Sequence, residues 1–211
     1  MSLSDRAERA VTSEAQPPLV VVLTGPSGVG KDAVVNRAVE RGEPVVRPAT
    51  MTTRAPRDGE QEGVHHYFVT REQFLRQIEA GELLEHAEVY GNLYGVPRKS
   101  VRAALGTGNH VIVRVDVQGA ESLRAILPDA LFIALEPSDR SALAAHLAGR
   151  GSETPEQVQR RLAIAADEID RARLFCTPLV NIEDDLDATV DEFLAMIERE
   201  RARPGRAPVR V

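Results

Sequence analysis

Apolar positions along this chain come in two textures. Continuous runs of about five alternate with stretches where apolar residues recur at three- and four-residue spacing. Leu19 to Thr24 is the first run, apolar or β-branched at every position, and reads as a buried strand. Pro44–Thr50, Val111–Val115, Ala130–Leu135 and Leu179–Ile182 read as four more. The spacing of Ala33, Val34 and Ala38 predicts a helix ending near Arg41, with Gly42 as its stop. Further helices are predicted over Gln118–Leu127, Pro137–Leu147, Pro155–Leu174 and Asp187–Ala202. Strands alternating with helices imply an α/β fold of three layers: a parallel five-stranded core sheet covered on both faces. No internal repeat is visible.

The pattern changes between residues 50 and 97. Thr50–Glu60 has hardly any core-forming residues and reads as a loop. Gly63–Thr70 reads as a strand, Arg71–Gly81 as an amphipathic helix through Phe74, Leu75 and Ile78, and Leu83–Tyr90 as a strand containing Glu85. Gly91–Gly95 reads as a turn bearing Tyr94, and a helix starts near Pro97. This stretch is expected to be a subdomain inserted into a core made of 19–49 and 98–202. Residues 1–18 are expected to be a disordered or short helical leader. The tail, 203–211, with two prolines and three arginines, is expected to be disordered.

Composition narrows the function. At 211 residues and 43% hydrophobic the chain can bury a sizeable core. A net charge of −6 argues against a nucleic-acid partner held by bulk positive charge. Cys176 is the only cysteine, so neither an intrachain disulfide nor a zinc cluster is expected. No apolar run approaches the ~20 residues of a membrane span. The N-terminus lacks a signal peptide's apolar core, and a cytoplasmic location is expected.

The first strand runs into Gly25-Pro26-Ser27-Gly28-Val29-Gly30-Lys31-Asp32 and then a helix. Glycines let backbone N–H groups converge on phosphate oxygens, the helix N-terminus adds its positive end, and Lys31 reaches the β- and γ-phosphates. These eight residues are the expected ATP-binding loop. A glycine-rich turn without a ligand would not need lysine, yet the chain has only two, Lys31 and Lys99, among many arginines. The residue after the lysine, commonly a Mg²⁺-binding hydroxyl, is Asp32, which becomes the candidate metal ligand. In the later loop, Arg54 and Arg57 suit bidentate grip on a phosphate.

Together these stretches resemble the guanylate kinase family over residues 19 to about 200. The likeness rests on GPSGVGK (25–31), TTRAPRDGE (52–60), LLEHAEVYGNLYG (83–95), VDVQGA (115–120), GRG (149–151) and RRLAIAADEI (160–169). It implies a phosphate-loop core, a GMP-binding subdomain near 50–97 and a lid near 138–161. The implied reaction is ATP + GMP giving ADP + GDP, with dGMP also accepted and Mg²⁺ present. Thr50, Arg54, Arg57, Glu60, His66, Glu85, Tyr94 and Asp116 fall on the family's GMP-site positions. Arg54, Arg57 and Tyr94 are implied at the GMP phosphate, and Glu85 and Asp116 at the guanine edge. A carboxylate there accepts from both N1–H and N2–H₂, a donor pair adenine lacks. Lys31, Arg150 and Arg161 are the implied catalytic residues, the last two from the lid. Substrates are expected as partners, no nucleic acid or membrane, and a monomer or homodimer.

The chain departs from the family pattern at several positions. Besides Asp32, His66 stands for a phosphate-binding tyrosine, Val96 for a hydroxyl that would donate to guanine O6, Arg114 for an aspartate, His146 for a lid arginine and Glu183 for an asparagine near the adenine pocket. Position 114 lies two before Asp116, on the same side of its strand. Asp32 and Arg114 are therefore expected to form an ion pair beneath the phosphate loop. A cationic His66 would favour the GMP dianion, so KM is expected to rise between about pH 6 and 8. Two other readings stay open: a kinase-like module that binds nucleotide without efficient transfer, and a kinase for another purine monophosphate.

Overall fold

The computed structural model describes residues 16–89, 91–139 and 155–211. The core sheet has strands β1 (Val20–Thr24), β2 (Val45–Val46), β7 (His110–Arg114), β8 (Leu131–Pro137) and β9 (Thr177–Asn181), ordered β2-β7-β1-β8-β9. Every pair in it is parallel. All five residues of β1 are fully buried, because the central strand is covered on both faces, and that explains its unbroken apolar run. Val20 and Val22 pack with Val101 and Ala104 of α3 (Arg98–Leu105) and Ala120 and Leu123 of α4 (Val117–Ile126). Val21 and Leu23 point the other way, onto Val34, Val35 and Ala38 of α1 (Lys31–Glu40) and Val190, Phe193 and Ile197 of α6 (Leu186–Arg201). Each such side chain contributes about 1.5–3 kcal/mol by burial. The long helix α5 (Pro155–Arg173) reaches the first face through Ala172.

A second sheet, ordered β4-β3-β6-β5, uses β3 (Thr50–Thr52), β4 (His66–Phe68), β5 (Leu83–Val89) and β6 (Asn92–Pro97). It has its own small core of Met51, Phe74, Leu83 and Leu93. Helix α2 (Arg71–Glu79) starts in a capping box: Thr70 Oγ1 accepts from the Gln73 N–H, and the Gln73 side chain accepts from the Thr70 N–H.

Three sequence expectations change. The single strand expected over Pro44–Thr50 is two, because the chain leaves the core sheet after Val46 and re-enters the small sheet at Thr50, with Pro48 between. Gly91–Gly95 is mostly strand, and Tyr94 lies on β6, opposite Thr52 of β3 and Ala87 of β5. The tail, expected to be disordered, packs back on the core. Arg206 pairs with Glu200 at 3.2 Å and donates to the Asp129 carbonyl at 2.5 Å, Arg102 donates to the Val211 carbonyl, and Val209 and Val211 lie against the core. Two valines and a buried arginine outweigh the local proline signal. Most of the leader and most of the lid, including His146 and Arg150, lie outside the described residues. Among the described residues no helix is long and apolar enough to cross a membrane.

Candidate active site

The turn between β1 and α1 is shaped by glycine. Gly25, Gly28 and Gly30 have φ of 140°, 84° and 100°. A Cβ on Gly25 would sit 2.3 Å from the Leu135 carbonyl oxygen, so that position also needs glycine for close approach to β8. No side chain caps α1, which leaves its first amides facing the loop. Asn181, at the end of β9, ties the loop down: its Nδ2 donates to the Val29 carbonyl at 3.0 Å, and Thr189 of α6 donates to its Oδ1 at 3.2 Å. Lys31 folds over the loop and donates to the carbonyls of Gly25 and Pro26 at 2.5 and 3.1 Å. Burial lowers its pKa to about 8, opposed by Glu168 and Asp116 and assisted by Arg114. Arg161 of α5 reaches the loop from above, with Nη2 3.4 Å from Ser27 Oγ.

Across the cleft, charges are paired. Glu60 grips Arg54 at both nitrogens, at 2.5 and 2.7 Å, and accepts from the Arg57 N–H at 2.8 Å. The bond from Arg54 above all holds the Glu60 carboxyl down at about 2. Tyr94 also hydrogen-bonds Arg54. The Thr50 hydroxyl is 2.6 Å from His66 Nδ1, and His66 Nε2 is 3.7 Å from Glu60. Glu85 sits next to a bulge in β5, half-buried, and burial followed by repulsion from Asp116 raises its pKa to about 7. Asp116 caps α4 by accepting from the Gly119 N–H at 2.8 Å. A cavity of about 350 Å³ is lined by Lys31, Asp32, Glu85, Arg114 and Asp116, so the phosphate-loop lysine and the paired acids share one space. A neighbouring cavity of about 570 Å³ holds Thr50, Glu60 and His66, and shares Asp32 and Arg114.

The family model described as "Guanylate kinase" matches residues 18–200. The chain belongs to the guanylate kinase family. It is 43% identical to a guanylate kinase from Thermobifida fusca, over 86% of this chain and 92% of that one. It is 40% identical to "Guanylate kinase 2, chloroplastic/mitochondrial" of Oryza sativa subsp. japonica, over 92% and 68%. Among solved structures, a guanylate kinase from Anaplasma phagocytophilum superposes with a TM-score of 0.67 at 32% identity, covering 90% of each chain.

Against the guanylate kinase pattern, three departures acquire a physical setting. Burial, then nearby Arg54, lowers the pKa of His66. Val96 is buried opposite Glu85 and offers no donor. Asp32 and Arg114 do form an ion pair, Arg114 Nη1 facing Asp32 Oδ1. That pair bears on magnesium. Asp32 already carries a guanidinium, and among the described residues no three His, Cys, Asp or Glu side chains gather as a metal cage. Asp32 thus has a single carboxylate to offer magnesium, an ion held mostly by waters and substrate phosphates.

Three contributors escaped sequence reading. Asn181, two residues before the position expected to matter, is the asparagine at the loop. Glu168 lies within electrostatic reach of Lys31, but on a charged helix it looks like any solvated acid. At Gly119 a Cβ would lie 2.9 Å from Val115 Cβ and 3.3 Å from Glu85 Cδ, so glycine leaves room for the buried carboxyl. The VDVQGA stretch carried that last signal without its reason.

Proposed function

We propose that this chain holds ATP along the phosphate loop and GMP against the small sheet, and passes the γ-phosphoryl group between them to give ADP and GDP. The observation that carries the reading is the shared cavity: Lys31 faces the same space as Glu85 and Asp116. Lys31 leaves the Gly25 and Pro26 carbonyls for the phosphates of ATP. Arg161, over the loop at Ser27, steadies the transferring group, with Arg150 in the same role from the lid. Arg54, fixed by Glu60 and Tyr94, and Arg57 hold the GMP phosphate. Glu85 accepts from guanine N1–H and N2–H₂, with Asp116 beside it. The attacking phosphate oxygen is already an anion, so no general base is required. Magnesium comes with the phosphates of ATP rather than with the protein.

ADP release measured across GMP, dGMP, AMP, IMP, CMP and UMP tests this. GMP and dGMP turn over fastest, IMP more slowly because it lacks the N2 donors, and AMP, CMP and UMP hardly at all. AMP turning over as fast as GMP would overturn the guanine assignment. GMP binding without ADP release would make the chain a nucleotide-binding module.

A further inference from the structure

The two cavities meet at one pair of side chains, Asp32 and Arg114. Arg114 ends β7, where the register Leu23↔Arg114 sets it beside the last residues of β1 before the phosphate loop. Asp32 stands in the first turn of α1. Its carboxylate is largely exposed, and the guanidinium is the more enclosed partner. A guanidinium has five N–H donors. Among the described residues Asp32 is the one polar partner seen for Arg114. Glu85 and Asp116 line the same cavity as Arg114, and burial with repulsion from Asp116 raises the pKa of the Glu85 carboxyl to about 7. Arg114 lines both cavities. One of these holds Lys31 and the other holds Thr50, Glu60 and His66. Phosphoryl transfer brings two phosphate groups together where these cavities join, and their mutual repulsion has to be offset. Among the described residues no three His, Cys, Asp or Glu side chains gather there as a metal cage.

We propose that Arg114 is a substrate-binding residue: anchored by Asp32 on the wall between the two cavities, its guanidinium donates to a phosphate oxygen of a bound nucleotide. In this arrangement the cation belongs to the protein, and Asp32 serves to aim it and to keep it off Glu85. The exchange of acid and base between these positions is then a working substitution rather than two separate losses. The inference rests on the assignment of the cleft to ATP and GMP.

Equilibrium titration calorimetry with ADP and, separately, GMP tests it, each run in EDTA and again with Mg²⁺. The proteins are the wild type, Arg114→Ala, Arg114→Lys and the double variant Asp32→Ser with Arg114→Ala. Arg114→Ala weakens at least one nucleotide in EDTA by about tenfold or more, the scale of a charged hydrogen bond. Loss confined to ADP assigns the contact to the donor side, and loss confined to GMP to the acceptor side. Arg114→Lys recovers part of the affinity. The double variant stays weak, because removing Asp32 does not replace the donor. Recovery of wild-type affinity in the double variant would overturn the proposal, since Arg114 would then only cancel the charge of Asp32. Unchanged binding in Arg114→Ala would overturn it as well. A wild type that binds neither nucleotide would instead remove the cleft assignment, and the proposal with it. Should Arg114→Ala fail to fold, Asp32→Asn with Arg114→Gln removes both charges at nearly constant shape and carries the same expectation of weak binding.

Discussion

At the phosphate loop, backbone groups do most of the holding. Gly25 packs on a carbonyl of β8, Asn181 pins Val29, and Lys31 is satisfied by the loop's own carbonyls before any ligand arrives. In the small sheet the same task falls to side-chain charges. Arg54 is gripped by Glu60 and Tyr94, while Glu85 is half-buried beside a neighbouring acid, Asp116. The loop is thus a preformed cradle whose shape rests on contacts that do not titrate, while burial brings the pKa of Lys31 within it to about 8. The acceptor pocket is a set of charges whose protonation depends on what surrounds them. The difference places robustness on the ATP side and tunability on the GMP side.

The most damaging test of this contrast is Lys31→Ala. Turnover in the coupled ADP-release assay falls by about 10³-fold or more, while the melting temperature stays close to wild type, because the loop is held by other contacts. A large loss of stability would show that the lysine, not the backbone, holds the cradle.

Glu85→Gln probes the tunable side and has two signs. GMP affinity falls about 10–100-fold with ADP affinity unchanged, since an amide mispairs with the guanine donors. In the wild type GMP affinity rises from pH 6 to 8 as the Glu85 carboxyl, at about 7, loses its proton, and in the variant that component is flat. Stability moves oppositely. A carboxyl whose folded pKa lies above its unfolded value of 4.5 costs stability increasingly as pH rises from 4.5 to about 7, and the full cost persists above. The variant therefore melts higher than wild type at pH 8, by about 1–3 kcal/mol in stability, and equally near pH 4. Equal melting at both pH values would remove the strain assigned to Glu85.

Gly119→Ala sharpens the same side with a smaller effect. The added Cβ crowds Val115 and the Glu85 carboxyl, so KM for GMP rises with KM for ATP unchanged, and stability falls by about 1–3 kcal/mol despite alanine's better helix propensity. Arg206→Ala lies outside both regions. Loss of its pairing with Glu200 and the Asp129 carbonyl costs about 2 kcal/mol, or roughly 4–8 °C in melting temperature, with kcat unchanged.

The uneven legibility of the two regions has a cause. The phosphate loop is contiguous: strand, glycines, lysine and helix follow one another within a few turns of chain, so local conformational demands appear directly in residue type. The three inner core strands, β1, β7 and β8, are legible for a like reason, because a strand covered on both faces is largely apolar. The acceptor pocket is scattered from Thr50 to Asp116, and only its likeness to a known family brought those residues together before the fold was seen. The small sheet's boundaries are hard to read along the chain because β3 and β4 are only three residues long, and Tyr94 in a glycine-rich stretch looks like a turn.

Other features are properties of contacts between distant segments. Asn181 reaches back to Val29, Glu168 lies near Lys31, and Gly119 yields space to Glu85, each across more than thirty residues of sequence. The tail looked disordered because proline and arginine are poor local formers of structure, yet Val209 and Val211 find apolar surface that only the assembled core provides. The Asp32–Arg114 pair stands between the two kinds. Their residue types and the two-residue period of the strand raised the possibility, and the parallel register of β1 with β7 brings the two side chains together. Periodicity and glycine placement are local and can be read along the chain. Proton affinities, close approaches and pairings arise from what the fold sets beside each group, and Glu85 near pKa 7 is the clearest product of that.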